Sequence, residues 1–180
     1  MQPHHIDHVL LSNDQINVRI DQLAEEVAAD LSGSSFVVVG VLRGSFVFLA
    51  DLVRALHHQG LRMQMDFLTL ESYGSGTESS GNVRVSKDLW TSVRGREVLL
   101  VDDILDTGRT LDFATQYLML KGATSVHKCV FLNKPARRVV ETEARYVGFE
   151  VEDRFVVGYG LDYDGHYREL PYVAEVNFIE

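Results

Sequence analysis

The residues best suited to chemistry lie between 97 and 112. Two adjacent carboxylates, Asp102 and Asp103, follow the apolar run 98–101, and a polar turn at 106–110 reads Asp-Thr-Gly-Arg-Thr. Carboxylates suit divalent cations such as Mg²⁺ and sugar hydroxyls. A glycine-containing turn that opens a helix offers unpaired backbone N–H groups and a favourable dipole to an anion. This stretch therefore predicts a site for a phosphate and a sugar.

The elements around these residues are those of a parallel sheet. The run 98–101 has no polar alternation, which is typical of a strand covered on both faces. The turn is followed by a predicted helix with Leu111, Ala114 and Leu118 on one face. In open α/β sheets, ligands bind at the carboxyl ends of the strands. The carboxylates and the turn are therefore expected at a ligand-binding edge.

Other nucleotide-related folds also end an apolar strand in acids. The magnesium-binding strand of P-loop hydrolases is excluded, because no Gly-x-x-x-x-Gly-Lys-Ser/Thr occurs in the chain. The acidic pocket of receiver domains explains Asp102 and Asp103 but leaves the turn without a role. A purely structural role in ending a strand and capping a helix fits single positions but not the whole set.

The rest of the chain repeats strand, tight turn and helix. Helices are predicted over 16–31, capped by Ser12 or Asn13, and from Phe46 to near Gly60, with a partly helical segment at 136–144. A buried strand is predicted at 36–42, a somewhat alternating strand at 62–70, a strand at 125–132 and short strands at 146–149 and 155–159. A loop is predicted at 71–82, and a loop plus an edge strand at 162–180. The pattern predicts an α/β fold whose mainly parallel twisted sheet has helices on both faces.

Composition narrows the class of protein. A length of 180 residues predicts a single domain, 1–180. The formal net charge of −9 argues against binding of nucleic acid through the overall field of the protein, although a local basic patch is compatible with this total. We expect a cytoplasmic protein, because no apolar run approaches the roughly 20 residues that cross a bilayer and the first residues lack a signal-peptide pattern. Cys129 is interpreted as a buried structural thiol, His4, His5 and His8 as a solvated tail, and His57 and His58 as a helix end.

The stretch 101–110 resembles the phosphoribosyl pyrophosphate loop of the type I phosphoribosyltransferases. Three further blocks resemble the hypoxanthine-guanine branch of that family, at 41–45, 72–76 and 155–163. The likeness spans nearly the whole chain in the family's order. One departure is that this branch usually has Glu-Asp where the chain has Asp102-Asp103.

The resemblance implies a type I phosphoribosyltransferase fold with a small hood built from both chain ends, and a role for each matching residue. The residues implied to bind the phosphoribosyl group are Asp102, Asp103, Asp106, Thr107, Gly108, Arg109 and Thr110, with Asp106 as general base. The implied pyrophosphate contacts are Arg43, Gly44, Ser72, Tyr73 and Arg168; the turn at Arg43-Gly44 is one that in the family often has a non-proline cis peptide before the basic residue. The implied purine contacts are Ile104, Lys134, Phe155, Val156, Leu161 and Asp162. The implied Mg²⁺ ligands are Asp102, Asp103 and, for a second ion, Asp162.

The activity that the resemblance implies is purine salvage, in which hypoxanthine or guanine reacts with phosphoribosyl pyrophosphate to give IMP or GMP and pyrophosphate. A homo-oligomer, dimer or tetramer, is implied as well. Two alternatives stay open. One is a xanthine-guanine or hypoxanthine-only transferase, because backbone groups read the 2-position of the base. The other is an RNA-binding regulator of the pyrimidine-operon type, whose loop also contains Asp-Asp.

Overall fold

The computed structural model describes residues 4–73 and 82–179, and only the backbone of residues 72, 73 and 82. The described strands are β1 (His4–Leu11), β2 (Phe36–Leu42), β3 (Gln64–Tyr73), β4 (Asn82–Lys87), β5 (Glu97–Leu105), β6 (Ser125–Asn133), β7 (Tyr146–Glu150), β8 (Val156–Val157) and β9 (Val173–Phe178). Six of them form one sheet in the order β4-β3-β2-β5-β6-β7. All its pairs are parallel except β3 with β4. The predicted mainly parallel sheet is confirmed.

The helices cover both faces of this sheet, as predicted. They are α1 (Asn13–Leu31), α2 (Phe46–His58) and α3 (Arg109–Leu120). Ser12 caps α1, because its hydroxyl accepts from the Gln15 N–H while the Gln15 side chain accepts from the Ser12 N–H. Successive strand residues point to opposite faces. Val38 and Leu99 accordingly pack with α1 and α2, whereas neighbouring strand residues pack with α3.

A second sheet, in the order β1-β9-β8, joins the two chain ends. The predicted solvated tail is therefore wrong for its described part, since β1 begins at His4. His4 lies opposite Phe178 in the strand pair, its ring contacts Tyr163 edge-on at 4.9 Å, and its Nε2 lies 2.7 Å from the hydroxyl of Tyr167. Strand pairing and aromatic contacts order this segment, and both depend on partners more than 150 residues away.

Other boundaries also differ from the predictions. β5 continues to Leu105, so Asp102 and Asp103 lie inside the strand. β3 runs to Tyr73 and pairs with β4 where a loop was predicted at 71–82; residues 74–81 lie outside the described residues. The strand at 155–159 shortens to β8. The helical segment at 136–144 is only a 3-10 turn, Pro135–Arg137. Within the described residues, no helix is both long and apolar enough to span a membrane.

Candidate active site

A cavity of about 320 Å³ lies at the carboxyl edge of the large sheet. It is lined by the ends of β2 and β5 and by the turn that opens α3. The sequence-predicted residues that it brings together are Arg43, Gly44, Asp102, Asp103, Ile104, Asp106, Thr107, Gly108 and Thr110. The turn from β2 to α2 and the turn from β5 to α3 therefore lie side by side, as expected for neighbouring parallel strands.

Asp102, which is buried, and Asp103, which is half-buried, form an acidic pair at this edge. The Oδ1 of Asp102 accepts from the N–H of Asp103 at 3.0 Å, and the Oδ1 of Asp103 accepts from the N–H of Ile104 at 2.8 Å. Burial, and then the charge of Asp103, raises the pKa of Asp102. Burial also raises the pKa of Asp103, against the hydrogen bonds that it forms with Asp102 and Ile104 and the charge of Arg168. Neither carboxylate has an ion-pair partner among the described residues.

This pair fits a divalent cation. Its carboxylate oxygens are the ligands that Mg²⁺ prefers. A bound cation would offset the burial that raises both pKa values, and also the charge of Asp103 that adds to the effect at Asp102. Asp162 joins no group of three closely spaced ligands with Asp102 and Asp103; within the described residues, the one such group is Asp7, His8 and Glu175 on the second sheet.

The turn after β2 packs directly against Asp103. The peptide bond between Leu42 and Arg43 is cis, as the resemblance implied. A Cβ added to Gly44 would lie 1.5 Å from the Oδ2 of Asp103, and one added to Gly160 would lie 2.2 Å from the carbonyl oxygen of Gly44. Glycine at 44 therefore allows the backbone to approach the carboxylate, and glycine at 160 brings the 158–162 segment onto the same turn.

The turn before α3 has the shape of an anion site. Gly108 is the N-cap of α3, has a φ of +86°, and makes no side-chain cap hydrogen bond. A Cβ at this position would lie 2.7 Å from the carbonyl oxygen of Val140. Both the left-handed backbone and the close approach require glycine. Arg109 begins the helix, and the positive end of the helix dipole faces the turn.

Asp106 has an oxygen without a partner. Its Oδ1 is buried and has no hydrogen-bond partner among the described residues. Its Oδ2 lies 3.6 Å from the Nη1 of Arg137. A buried carboxylate oxygen without a donor calls for an explanation. A carboxylate whose role is to accept a proton from a bound ligand would have such an unpartnered oxygen when the ligand is absent.

Lys134 lies beside this turn. Its N–H donates to the carbonyl oxygen of Leu105 at 2.9 Å, which fixes it next to Asp106. The side chain is buried, and its Nζ donates to the carbonyl oxygen of Arg154 and lies 3.9 Å from the Oδ1 of Asp153. Burial lowers the pKa of Lys134, while Asp106 and Asp153 oppose this effect. The backbone of Lys134 is therefore fixed beside Asp106, while its ammonium group bonds to Arg154 and the charge of Asp106 acts to raise its pKa.

Phe155 lies in the second sheet region with an exposed ring, whereas Val156 and Leu161 are buried. Tyr163 and Phe178 contact the ring of Phe155 edge-on at 5.5 and 5.3 Å. Other aromatic side chains therefore pack against this large ring, and part of it stays accessible to solvent.

Asp162 and Arg168 pair with each other. The Nη2 of Arg168 lies 2.6 Å from the Oδ1 of Asp162. The Oδ2 of Asp162 accepts from the N–H of Gly165 at 2.8 Å, and Arg168 also donates to the carbonyl oxygen of Gly160. The side chains of Ser72 and Tyr73 lie outside the described part of the structure.

Sequence reasoning missed Arg137 and Asp153. Arg137 lies 3.6 Å from Asp106 and, through its Nε, 3.9 Å from Asp153. The sequence signal that could have indicated Arg137 was the basic pair 137–138, which follows Lys134-Pro135 after one residue.

Cys129 is fully buried, as predicted, and burial raises the pKa of its thiol. It has the character of an inert core residue.

Comparison with known proteins agrees with this geometry. Residues 9–164 match the family described as "Phosphoribosyl transferase domain". The hypoxanthine-guanine phosphoribosyltransferase of Bacillus subtilis is 41% identical over 174 residues, which cover 97% of this chain and 95% of that protein. The bifunctional protein TilS/HprT of Listeria monocytogenes is 46% identical over 169 residues, but the chain spans only 26% of its length.

Among solved structures, the hypoxanthine phosphoribosyltransferase of Staphylococcus aureus superposes with a TM-score of 0.90 at 39% identity, covering 96% of this chain and 92% of that one. The match in family, sequence and fold extends over nearly the whole chain. The chain belongs to the phosphoribosyltransferase family.

Proposed function

We propose that the protein is a purine salvage enzyme that transfers the 5-phosphoribosyl group of phosphoribosyl pyrophosphate to hypoxanthine or guanine. The products are IMP or GMP and pyrophosphate. The observation that carries the proposal is the buried side chain of Lys134, whose backbone N–H donates to the carbonyl oxygen of Leu105, directly before Asp106 with its unpartnered Oδ1. A donor for the 6-oxo group and an acceptor for a ring N–H are what a 6-oxopurine requires. The names of the relatives support this choice over a pyrimidine-operon regulator.

The phosphoribosyl group is assigned to the edge between β5 and α3. Backbone N–H groups of 106–110, with the hydroxyls of Thr107 and Thr110, hold the 5′-phosphate. Asp102 and Asp103 bind the ribose hydroxyls and one Mg²⁺, and Asp162 binds a second. When bound, Mg²⁺ supplies positive charge to the pyrophosphate oxygens.

The leaving group is assigned to the turn after β2. Cleavage of the C1′–O bond builds positive charge on the ribose and negative charge on pyrophosphate. Arg43 and Arg168 stabilise the departing charge, the backbone at Gly44 approaches it closely, and Ser72 and Tyr73 exclude water. To contact the pyrophosphate, Arg168 gives up its ion pair with Asp162.

The base is assigned to the space between Lys134 and Phe155. Lys134 donates to the 6-oxo group and Phe155 stacks on the ring. The remaining purine contacts are apolar ones from Ile104 and Leu161 and main-chain ones from Val156 and Asp162. Asp106 accepts the proton at N7 as N9 attacks C1′.

We further propose that residues 1–180 act as one domain whose hood is the β1-β9-β8 sheet. Its phosphorylated substrates do not cross membranes, so we place it in the cytoplasm. We also propose that the protein is a homo-oligomer, dimer or tetramer, a property that sedimentation of the purified protein measures.

Parallel assays test the function. The purified protein is incubated with Mg²⁺, phosphoribosyl pyrophosphate and hypoxanthine, guanine or xanthine, and nucleotide and pyrophosphate are measured. We expect equal amounts of pyrophosphate and IMP or GMP, with little product from xanthine. No product from any base, together with tight, salt-sensitive RNA binding in a gel shift, would overturn the proposal.

A further inference from the structure

The segment 134–142, here called the back wall, packs behind the phosphate turn. The N–H groups of Val139 and Val140 both donate to the carbonyl oxygen of Thr107, at 2.9 and 3.0 Å. Gly108 touches the same segment, since a Cβ there would lie 2.8 Å from the Cγ2 of Thr142 and 3.2 Å from the Cδ of Arg138. The shape of the turn therefore depends on where the back wall lies.

Arg138 connects the back wall to the ends of β5 and β6. Its Nη1 donates to the carbonyl oxygen of Thr142 at 2.7 Å, and its Nη2 donates to the Oδ1 of Asn133 at 2.6 Å and to the carbonyl oxygen of Leu105 at 3.4 Å. Leu105 is the last residue of β5, directly before Asp106, and Asn133 is the last residue of β6. One planar guanidinium thus joins both strand ends and the back wall.

The charge of Arg138 has no carboxylate partner. Within residues 4–73 and 82–179, no acidic group forms an ion pair with it, and its Nε is buried without an acceptor. Its acceptors are two carbonyls and one side-chain amide. Arg138 is half-buried, and a cation that is partly removed from water without an acidic partner is costly unless something else balances its charge. The turn at 106–110, which is shaped to attract an anion, lies beside Arg138, since a Cβ added to Gly108 would lie 3.2 Å from its Cδ.

We propose that Arg138 is a positioning residue for the 5′-phosphate. It fixes the carbonyl of Leu105 and the back wall, so that the backbone N–H groups of 106–110 converge on one point, and its unpaired charge favours an anion there. It acts through the turn rather than by contact with the ligand. The inference rests on the proposed function, because it assigns that turn to the phosphate of the nucleotide.

The test compares a nucleotide with its nucleoside, which differ only in the 5′-phosphate. Dissociation constants for IMP and inosine are measured by calorimetry for the wild type, Arg138→Gln and Arg138→Lys. For Arg138→Gln we expect the affinity for IMP to fall about tenfold or more, while the affinity for inosine stays unchanged. For Arg138→Lys, which keeps the charge but loses the planar fork, we expect a smaller loss of the same kind.

Two further variants control the comparison. Arg62→Gln removes one positive charge from an exposed side chain just before β3, at the opposite edge of the sheet, and is expected to change neither affinity. Asn133→Ala removes one acceptor without touching the charge, and tests the idea if Arg138→Gln does not fold. It is expected to weaken IMP binding selectively.

Several results would overturn the inference. Equal loss of IMP and inosine affinity would indicate a general structural role. Unchanged IMP affinity in Arg138→Gln and Asn133→Ala would remove the role altogether, and wild-type behaviour of Arg138→Lys would remove the positioning. A wild-type protein that binds IMP no more tightly than inosine would overturn the proposed function and the inference with it.

Discussion

The two edges of the large sheet use aspartate in opposite ways. At the carboxyl edge, burial raises the pKa values of Asp102 and Asp103, and Asp106 keeps a buried oxygen without a donor. At the amino edge, hydrogen bonds from Arg145 and Tyr146 lower the pKa of Asp30 to about 2. The Nε of Arg145 and the hydroxyl of Tyr146 lie 2.8 and 2.7 Å from its Oδ2.

The difference separates stability from function. At the amino edge, Asp30 and Glu97 both have partners inside the protein; the Oε2 of Glu97 lies 2.8 Å from the Nε2 of His127. At the carboxyl edge the protein leaves acids close together and incompletely partnered, which costs folding energy and is typical of a site completed by a ligand. Substitutions at the amino edge should therefore change stability, and substitutions at the carboxyl edge should change activity.

Asp106→Asn should show the largest effect. As the proposed general base, its loss should lower kcat by about 100-fold or more, while IMP affinity changes little, since the amide keeps the shape of the carboxylate. Steady-state kinetics and calorimetry measure the two quantities. Asp21→Asn, at an exposed position of α1, serves as the control. Equal turnover in wild type and Asp106→Asn would remove Asp106 from the mechanism.

Gly44→Ala should come next. The added Cβ would lie 1.5 Å from the Oδ2 of Asp103, so the carboxylate must move, and we expect kcat/KM for phosphoribosyl pyrophosphate to fall at least about tenfold. Gly40→Ala, four residues earlier on β2, is the matched comparison because its Cβ would meet the Cδ2 of Leu49, at 2.4 Å, in the core. It should lower the thermal midpoint and spare kinetics. The reverse pattern would contradict the assignment.

Asp66→Asn tests a fully partnered acid through its pH dependence. Burial acts to raise the pKa of Asp66, but the N–H groups of Thr91, Phe67 and Trp90 that donate to the carboxylate outweigh it and hold the pKa below its ordinary value. The wild type gains this stability above the unfolded pKa of about 3.9 and loses it as the pH falls through the lower folded pKa.

The loss on substitution of Asp66 should be about 1–3 kcal/mol near pH 7 and should shrink below about pH 4. Urea unfolding at several pH values measures it. A difference that grows with acidity would mean that the carboxylate is not stabilised in the folded state.

Tyr146→Phe should have the smallest effect. It removes the hydrogen bond to Asp30 and leaves the buried ring in place, so the free energy of unfolding should fall by about 1 kcal/mol. Transferase activity should stay at the wild-type level. A fall in kcat without a fall in stability would break the separation between the two edges.

Sequence predicted the parts of the molecule that local pattern controls. The apolar runs of β2, β5 and β6 and the glycine turn before α3 are local signals, and the structure has them where they were predicted. It did not predict β1, because that strand forms only by pairing with β9 at the other chain end. It overestimated the helix after Lys134, because Val139 and Val140 bond to Thr107 instead of continuing a helix.

The candidate site shows the same limit. Asp102, Asp103 and the turn are adjacent in sequence, and so their association was predictable. The contact between Arg137 and Asp106 and the link from Arg138 to Leu105 join residues more than 30 positions apart. Only the parallel pairing of β5 with β6 brings those two strand ends together.

A crystal structure with bound GMP tests the central claim most directly. We predict that the 5′-phosphate lies against the N–H groups of 106–110, that the 6-oxo group faces Lys134, and that the base stacks on Phe155. GMP bound elsewhere, or with its phosphate away from this turn, would contradict the assignment of chemistry to the carboxyl edge of the sheet.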